Sequence, residues 1–154
     1  MATEGLDIQI DGASFRKTMH TLDLFAPELR KDLVKELRGI ASSLKSGAAG
    51  RFPVGRTGQG QGGFKSSVRV RGDDVSGSVF NMTRQGQILE FVGSASSGST
   101  TQGQSLIRSL TAKYGPPGRF MWEEYDSRNV PNEVDAVIAN AERKLQGDLN
   151  RADA

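Results

Sequence analysis

Three places in this chain have residue types and spacings that suggest chemistry. Gly58, Gly60 and Gly63 spell G-x-G-x-x-G inside "RFPVGRTGQGQGGFKSSVRVRG", residues 51–72. Such a loop holds a pyrophosphate when a strand precedes it and a helix follows, because the anion then meets a helix N-terminus. Here a helical pattern precedes and a strand pattern follows. The Walker pattern fails as well: Phe64 stands where lysine must be, and Lys65 comes one place late. The single histidine, His20, lies beside Thr18 and Thr21 in an early helical stretch and reads as a surface residue. The many serines have no nucleophile elbow, and the absence of cysteine removes thiol chemistry and Cys-based zinc sites. Glu123, Glu124 and Asp126 form an acidic cluster, but no further acidic group with metal-ligand spacing accompanies them, so they read as solvated surface. The expectation is no catalytic residue, no metal site, no cofactor and no enzyme activity.

Charge gives a different lead. Lys and Arg exceed Asp and Glu by only two, yet the distribution is uneven. Residues 37–72 hold seven bases and no acid, whereas residues 119–154 hold eight acids against five bases. A basic middle with acidic ends suits nucleic acid, or copies of one chain that meet basic face to acidic face. Arg51, Arg56, Lys65, Arg69 and Arg71 form the basic run, with Phe52 and Phe64 placed for stacking on bases. Arg69 and Arg71 alternate with Val68 and Val70, which puts both arginines on the solvent face of a strand. Glycine-rich backbone carries a large ordering entropy, so the stretch also reads as an arm shaped by a neighbouring chain. Its apolar anchors are then Phe52, Val54 and Phe64, and its arginines pair with carboxylates.

The elements that would position these residues follow from periodicity. Leu6, Ile8 and Ile10 alternate as a short strand, and Phe15, Met19 and Leu22 keep helical spacing. Pro27 opens a helix whose stripe is Leu29, Leu33, Leu37, Ile40 and Leu44; Gly47 and Gly50 predict its end near Ser46. "SSVRVRGDDVSGSVFN" predicts a hairpin, with Val68 and Val70 on one face of the first strand and Val75, Gly77 and Val79 on one face of the second. "GQILEFVG" is a short apolar run, helix or strand. "SASSGSTTQGQS" is polar and of low complexity. Pro116 and Pro117 break a weak helical start, and a last helix opens at Pro131 with the stripe Val134, Val137, Ile138, Ala141, Leu145 and Leu149. At 154 residues the expectation is one α+β domain, a small antiparallel sheet packed on a long N-terminal and a C-terminal helix. Two long flexible loops are expected, a glycine-rich arm at about 47–64 and a second at about 93–104. Leu, Ile, Val and Phe make up about 23% of the chain, so the core is expected to be thin. "MATEGLDIQID" is acidic, without the apolar run of a signal peptide, and no window approaches a membrane span. A reducing cytoplasm is the expected site of synthesis.

In this order the segments resemble a family of small head–tail joining and tail-completion proteins of the neck of long-tailed bacteriophages. The matching stretches are "FPVGRTGQ" with Thr57-Gly58, "FKSSVRV", "ILEFVG" with Glu90, Phe91 and Gly93, and "PPGRFMWEEY" with Phe120 and Trp122. The likeness runs from about Asp11 to Leu149. Val92 interrupts the family's Glu-Phe-Gly, and extra glycines follow Thr57. The resemblance implies an α+β fold and a structural virion protein, assembled in the host cytoplasm as a homo-oligomeric ring of six copies at the tail top. Such a ring joins the head connector or stopper to the tail tube or tail terminator, around packaged DNA that passes without sequence-specific binding. It involves no membrane. Candidate inter-subunit or partner contacts are Arg51, Phe52, Val54, Arg56, Phe64, Lys65, Glu90, Phe91, Phe120 and Trp122; candidate DNA-channel charges are Arg69 and Arg71. Trp122 is expected as a core plug, with an interface anchor as its rival role. Glu90 is expected to face solvent, or else to bridge to Arg51 or Arg56 of a neighbouring copy. The competing function is a small basic nucleic-acid-binding module.

Overall fold

The computed structural model describes residues 5–10, 12–53, 59–91 and 101–152. Among them the chain runs β1 (Gly5–Gln9), α1 (Gly12–Phe25), α2 (Pro27–Arg51), α3 (Gln59–Gly62), β2 (Phe64–Arg71), β3 (Asp74–Asn81), α4 (Arg84–Phe91), α5 (Thr101–Tyr114), α6 (Met121–Arg128) and α7 (Val130–Ala152). The fold is α+β with a three-stranded antiparallel sheet in the order β1-β3-β2. The described residues divide into two compact units. One contains residues within Leu44–Lys65 and Val79–Arg128 with the start of β1; the other contains Asp7–Ser43, Ser66–Ser78 and residues from Asn129 onward.

The second unit follows the sequence pattern closely. On α1, Phe15, Met19 and Leu22 are buried, and on α2 the stripe Leu33, Leu37 and Ile40 is buried with Val34 and Ala41 beside it. Val134, Ala141 and Leu145 of α7 are buried in turn, while Leu149 at the end of that stripe is exposed. Thr18 of α1 donates to Glu142 of α7 at 2.9 Å. Pro131 occupies the first turn of α7, where a missing N–H costs nothing, behind Asn129 at φ 52°. The hairpin turn is held from two helices. Arg16 pairs with Asp74 at 2.7 Å, His20 lies 3.5 Å from Asp73, and Arg30 donates to the carbonyl of Gly72.

In the hairpin, Val75, Gly77 and Val79 are buried on one face of β3. Ser67 and Ser78 face each other across the strands at 2.9 Å, which fixes the register. Lys65, Arg69 and Arg71 are exposed on the opposite face from Val68 and Val70, as the alternation requires.

Two boundaries differ from expectation. α2 does not stop at Ser46; it continues through Gly47 and Gly50 to Arg51. A helical glycine costs about 1 kcal/mol relative to alanine, and tertiary contacts outweigh that here. Leu44, Ala48 and Phe52 are buried, and a Cβ on Gly47 would overlap the Glu124 carboxyl group. α5 already begins at Thr101, inside the expected second loop; of the two alternatives for the "ILEF" stretch, the helix is the one formed. The remainder of that loop, residues 93–100, and residues 54–58 of the glycine arm lie outside the described residues.

Candidate functional site: a buried Glu90–Arg119 junction beside an aromatic groove

The site grows from the first unit, at the meeting of α4, the "YGPPGRF" turn and α6. α5 ends at Tyr114, where the following Gly115 takes φ 90° and two prolines block any continuation. Gly118 then adopts φ 86° with Trp122 so close that a Cβ would stand 2.7 Å from its Cδ1, so only glycine fits this bend. The bend aims the backbone N–H groups of Phe120 and Met121 at Glu90. The Glu90 carboxylate accepts from Phe120 N through both oxygens at 3.1 Å and from Met121 N at 3.0 Å. These are donors that the first turn of α6 cannot satisfy within itself.

Arg119 completes the exchange in the opposite direction. Its Nη1 donates to the carbonyls of Leu89 at 3.1 Å and Glu90 at 3.4 Å, and its Nε donates to the Gly115 carbonyl at 2.9 Å. Gly118 N adds a bond to the Glu90 carbonyl at 2.8 Å. The carboxylate therefore caps the N-terminus of one helix while the guanidinium caps the C-terminal carbonyls of another. Glu90 is 0% and Arg119 2% exposed. Burial pushes the Glu90 carboxyl above its ordinary value, and the N–H groups of Phe120 and Met121 and the charge of Arg119 pull it back only in part. Burial likewise lowers the Arg119 guanidinium, against the support of Glu90. Two groups sealed from water and spent on backbone partners act as a fastener between segments thirty residues apart in sequence.

An aromatic cluster seals this junction. Phe52 packs edge-on against Phe64, with centroids 5.4 Å apart, and at a tilt against Phe120 at 4.8 Å; Tyr114 lies 5.5 Å from Phe120. Phe52, Phe64 and Phe120 are all buried. They belong to the chain's own core, and the expectation that they anchor a partner is corrected accordingly. Glu90 is corrected too: it does not face solvent, and its carboxylate is taken by Phe120 and Met121 of its own chain. Arg51 is turned inward upon its own chain, donating to Glu124 at 2.7 Å and Ser127 at 3.0 Å and pairing with Glu123 at 3.3 Å. The hydrogen bond to Glu124 raises the Arg51 guanidinium further above its ordinary value. The acidic cluster is thus partly engaged.

The glycine stretch also departs from expectation where it is described. Gln59–Gly62 forms a helical turn, and Gly60 and Gly63 are buried. Asn81 Nδ2 donates to the Gly60 carbonyl at 2.6 Å, Met82 N to that of Gly63 at 2.9 Å, and Gln61 Nε2 to that of Ala49 at 2.9 Å. This part of the arm takes its shape from its own chain. Val54 and Arg56, with Gly58, fall outside the described residues. Lys65 is exposed and Phe91 half-buried.

Asn81, Arg119 and Thr83 are the residues that sequence reasoning missed. Asn81 is fully buried, and its Oδ1 accepts from Thr83 N at 2.9 Å and Thr83 Oγ1 at 2.7 Å. Thr83 in turn caps α4, accepting from Gly86 N at 3.0 Å. The signal was present: Val75, Gly77 and Val79 point inward, so Asn81 must as well.

Outside the junction lies an open groove of ≈ 640 Å³ lined by Tyr114, Pro116, Pro117, Trp122, Glu123 and Asp126, among others. Trp122 is 41% exposed and stacks edge-on with Tyr125 at 6.0 Å, so it is not the core plug expected of it. Among the described residues, no group of three or more acidic or histidine side chains is placed to hold a metal, and no helix is long and apolar enough to cross a membrane. Compared with known proteins, the chain matches no family model, no curated protein and no solved structure.

Proposed function

We propose that this chain is a structural protein of a bacteriophage neck, without enzyme activity, that forms a ring of six copies joining the head connector to the tail around the DNA path. The observation that carries this reading is the Glu90–Arg119 junction. The two segments that bear much of the resemblance, "ILEFVG" and "PPGRFMWEEY", are bonded to one another through Glu90, Phe120 and Met121. Two of the four stretches that carry the resemblance are thus held together by direct bonds, which supports the reading. Large exposed apolar side chains, Leu24, Phe25, Met82, Leu106 and Trp122, add surface suited to burial between protomers. Particle imaging of the protein alone and with a purified head connector tests the proposal. Rings seated on the connector are expected; single chains beside bare connectors would refute it.

The nucleic-acid reading keeps one observation in its favour, the exposed Arg69 and Arg71 on β2. A binding module holds duplex DNA with a steep dependence on salt. A neck protein holds it weakly and without sequence preference.

A further inference from the structure

Two sets of exposed charges that have no partner among the described residues are of opposite sign and lie on different elements. On β2, Lys65, Arg69 and Arg71 are exposed, and among the described residues they have no hydrogen-bond or ion-pair partner. The carboxylates nearest Arg71 in sequence, Asp73 and Asp74, are taken by His20 and Arg16. β2 is also an edge strand, since the sheet order is β1-β3-β2. On α6, Asp126 is exposed without a partner among the described residues, and Glu123, although 3.3 Å from Arg51, keeps a side chain 58% exposed. Beside them stand the exposed indole of Trp122 and the ring faces of Pro116 and Pro117. An aromatic face flanked by carboxylates is a site for a guanidinium, which stacks on the ring and forks onto the carboxylate.

We propose that Arg69 and Arg71 of one copy dock in the Trp122–Asp126 groove of a second copy. The occupant follows from charge: the groove is acidic and aromatic, and the same chain offers a free basic strand. The contact joins two different patches, so each copy keeps one free strand and one free groove for further copies. A heterologous contact of this kind is what a closed ring requires. The inference deepens the ring reading and rests on it.

The chain has no cysteine, so single thiols can be placed without interference. Ser67 faces Ser78, which puts exposed Ser76 opposite Arg69; Ser127 lines the groove. Ser76→Cys and Ser127→Cys leave the arginines, Trp122 and the acids intact. The two full-length variants are mixed, with and without the head connector, and treated with a short bismaleimide. The mixture should cross-link about tenfold faster than either variant alone, a factor well within one good charge-assisted contact. Adding Arg69→Glu and Arg71→Glu to the Ser76→Cys copy should abolish the excess. Adding Glu123→Arg and Asp126→Arg to the Ser127→Cys copy should restore it against that reversed strand. No excess under any condition overturns the contact, and rings that still form on the connector would leave the neck function standing. An excess without rings keeps the contact and refutes the ring. Duplex DNA held through Arg69 and Arg71, with no cross-link, assigns the strand to nucleic acid and overturns the proposal.

Discussion

Removing the Glu90 carboxyl group should loosen the chain far more than a glutamate in a short helix would ordinarily allow. In Glu90→Ala the N–H groups of Phe120 and Met121 lose their acceptor, and both residues are almost wholly buried. Each buried donor left unpaired costs about 1–3 kcal/mol, and Arg119 is left as a buried cation without its counter-charge. A loss of about 3–5 kcal/mol is expected, a large share of the stability of a domain of this size. Glu90→Gln keeps one oxygen as acceptor and should lose about 1–2 kcal/mol. The two variants also differ from wild type in pH dependence. The folded-state pKa of Glu90 is raised, so between the ordinary glutamate value of about 4.3 and that raised value the native state binds more protons than the unfolded chain. The contribution of this group is greatest below that window and falls as pH rises through it. The advantage of wild type over Glu90→Gln should therefore shrink as pH rises from about 4 towards 8. Urea unfolding followed by the fluorescence of Trp122, the sole tryptophan, reads both effects. If Glu90→Ala unfolds within about 0.5 kcal/mol of wild type, the range of an ordinary surface change, the capping argument fails. If the advantage of wild type over Glu90→Gln grows with pH, the burial argument fails.

Arg119→Lys should cost about 2 kcal/mol in the same unfolding assay, because a point-like ammonium cannot serve the carbonyls of Leu89, Glu90 and Gly115 from one position. Gly86→Ala should cost about 1–3 kcal/mol, because the new methyl overlaps the Asn81 side chain amide and disturbs its bonds to Gly60 and Thr83; wild-type stability would contradict this. Arg51→Ala should cost about 1 kcal/mol, part of which should vanish in high salt, since the guanidinium is 38% exposed and Glu123 more so, while Glu124 at 13% exposed is the better shielded partner. Trp122→Ala should leave the unfolding midpoint, read by circular dichroism because the sole tryptophan is gone, nearly unchanged while weakening self-association measured by sedimentation, because its indole lines an open groove.

Much of the fold was legible because burial follows local periodicity. The stripes of α2 and α7 and the alternation of the hairpin come from residues close in sequence, and their central members (Leu33, Leu37, Ile40, Val134, Ala141, Leu145, Val75 and Val79) are buried as their spacing requires. The extension of α2 to Arg51 was hidden, because what outweighs the stop signals, the burial of Ala48 and Phe52 and the close approach of Glu124 to Gly47, comes from distant segments. The candidate site was legible in its segments and not in its roles. The "ILEF" and "PPGRF" stretches stand out in the sequence, yet a carboxylate inside an apolar run usually points to water or to a neighbour's cation, so nothing local marks Glu90 as buried. What buries it is the pair of N–H groups at Phe120 and Met121 and the charge of Arg119, none of them local to it. Phe52 and Phe64 looked like free anchors in a glycine arm because no local pattern reveals that Phe120 completes their cluster. Trp122 erred in the other direction, since bulk suggested the core while the Gly118 bend leaves the indole half outside.

The proposed function is tested most directly by the mass of what forms when this protein meets a purified head connector, read by native mass spectrometry. The account predicts that the connector gains six copies of the 16.6 kDa chain as one cooperative addition. A connector whose mass stays the same at every protein concentration would contradict it.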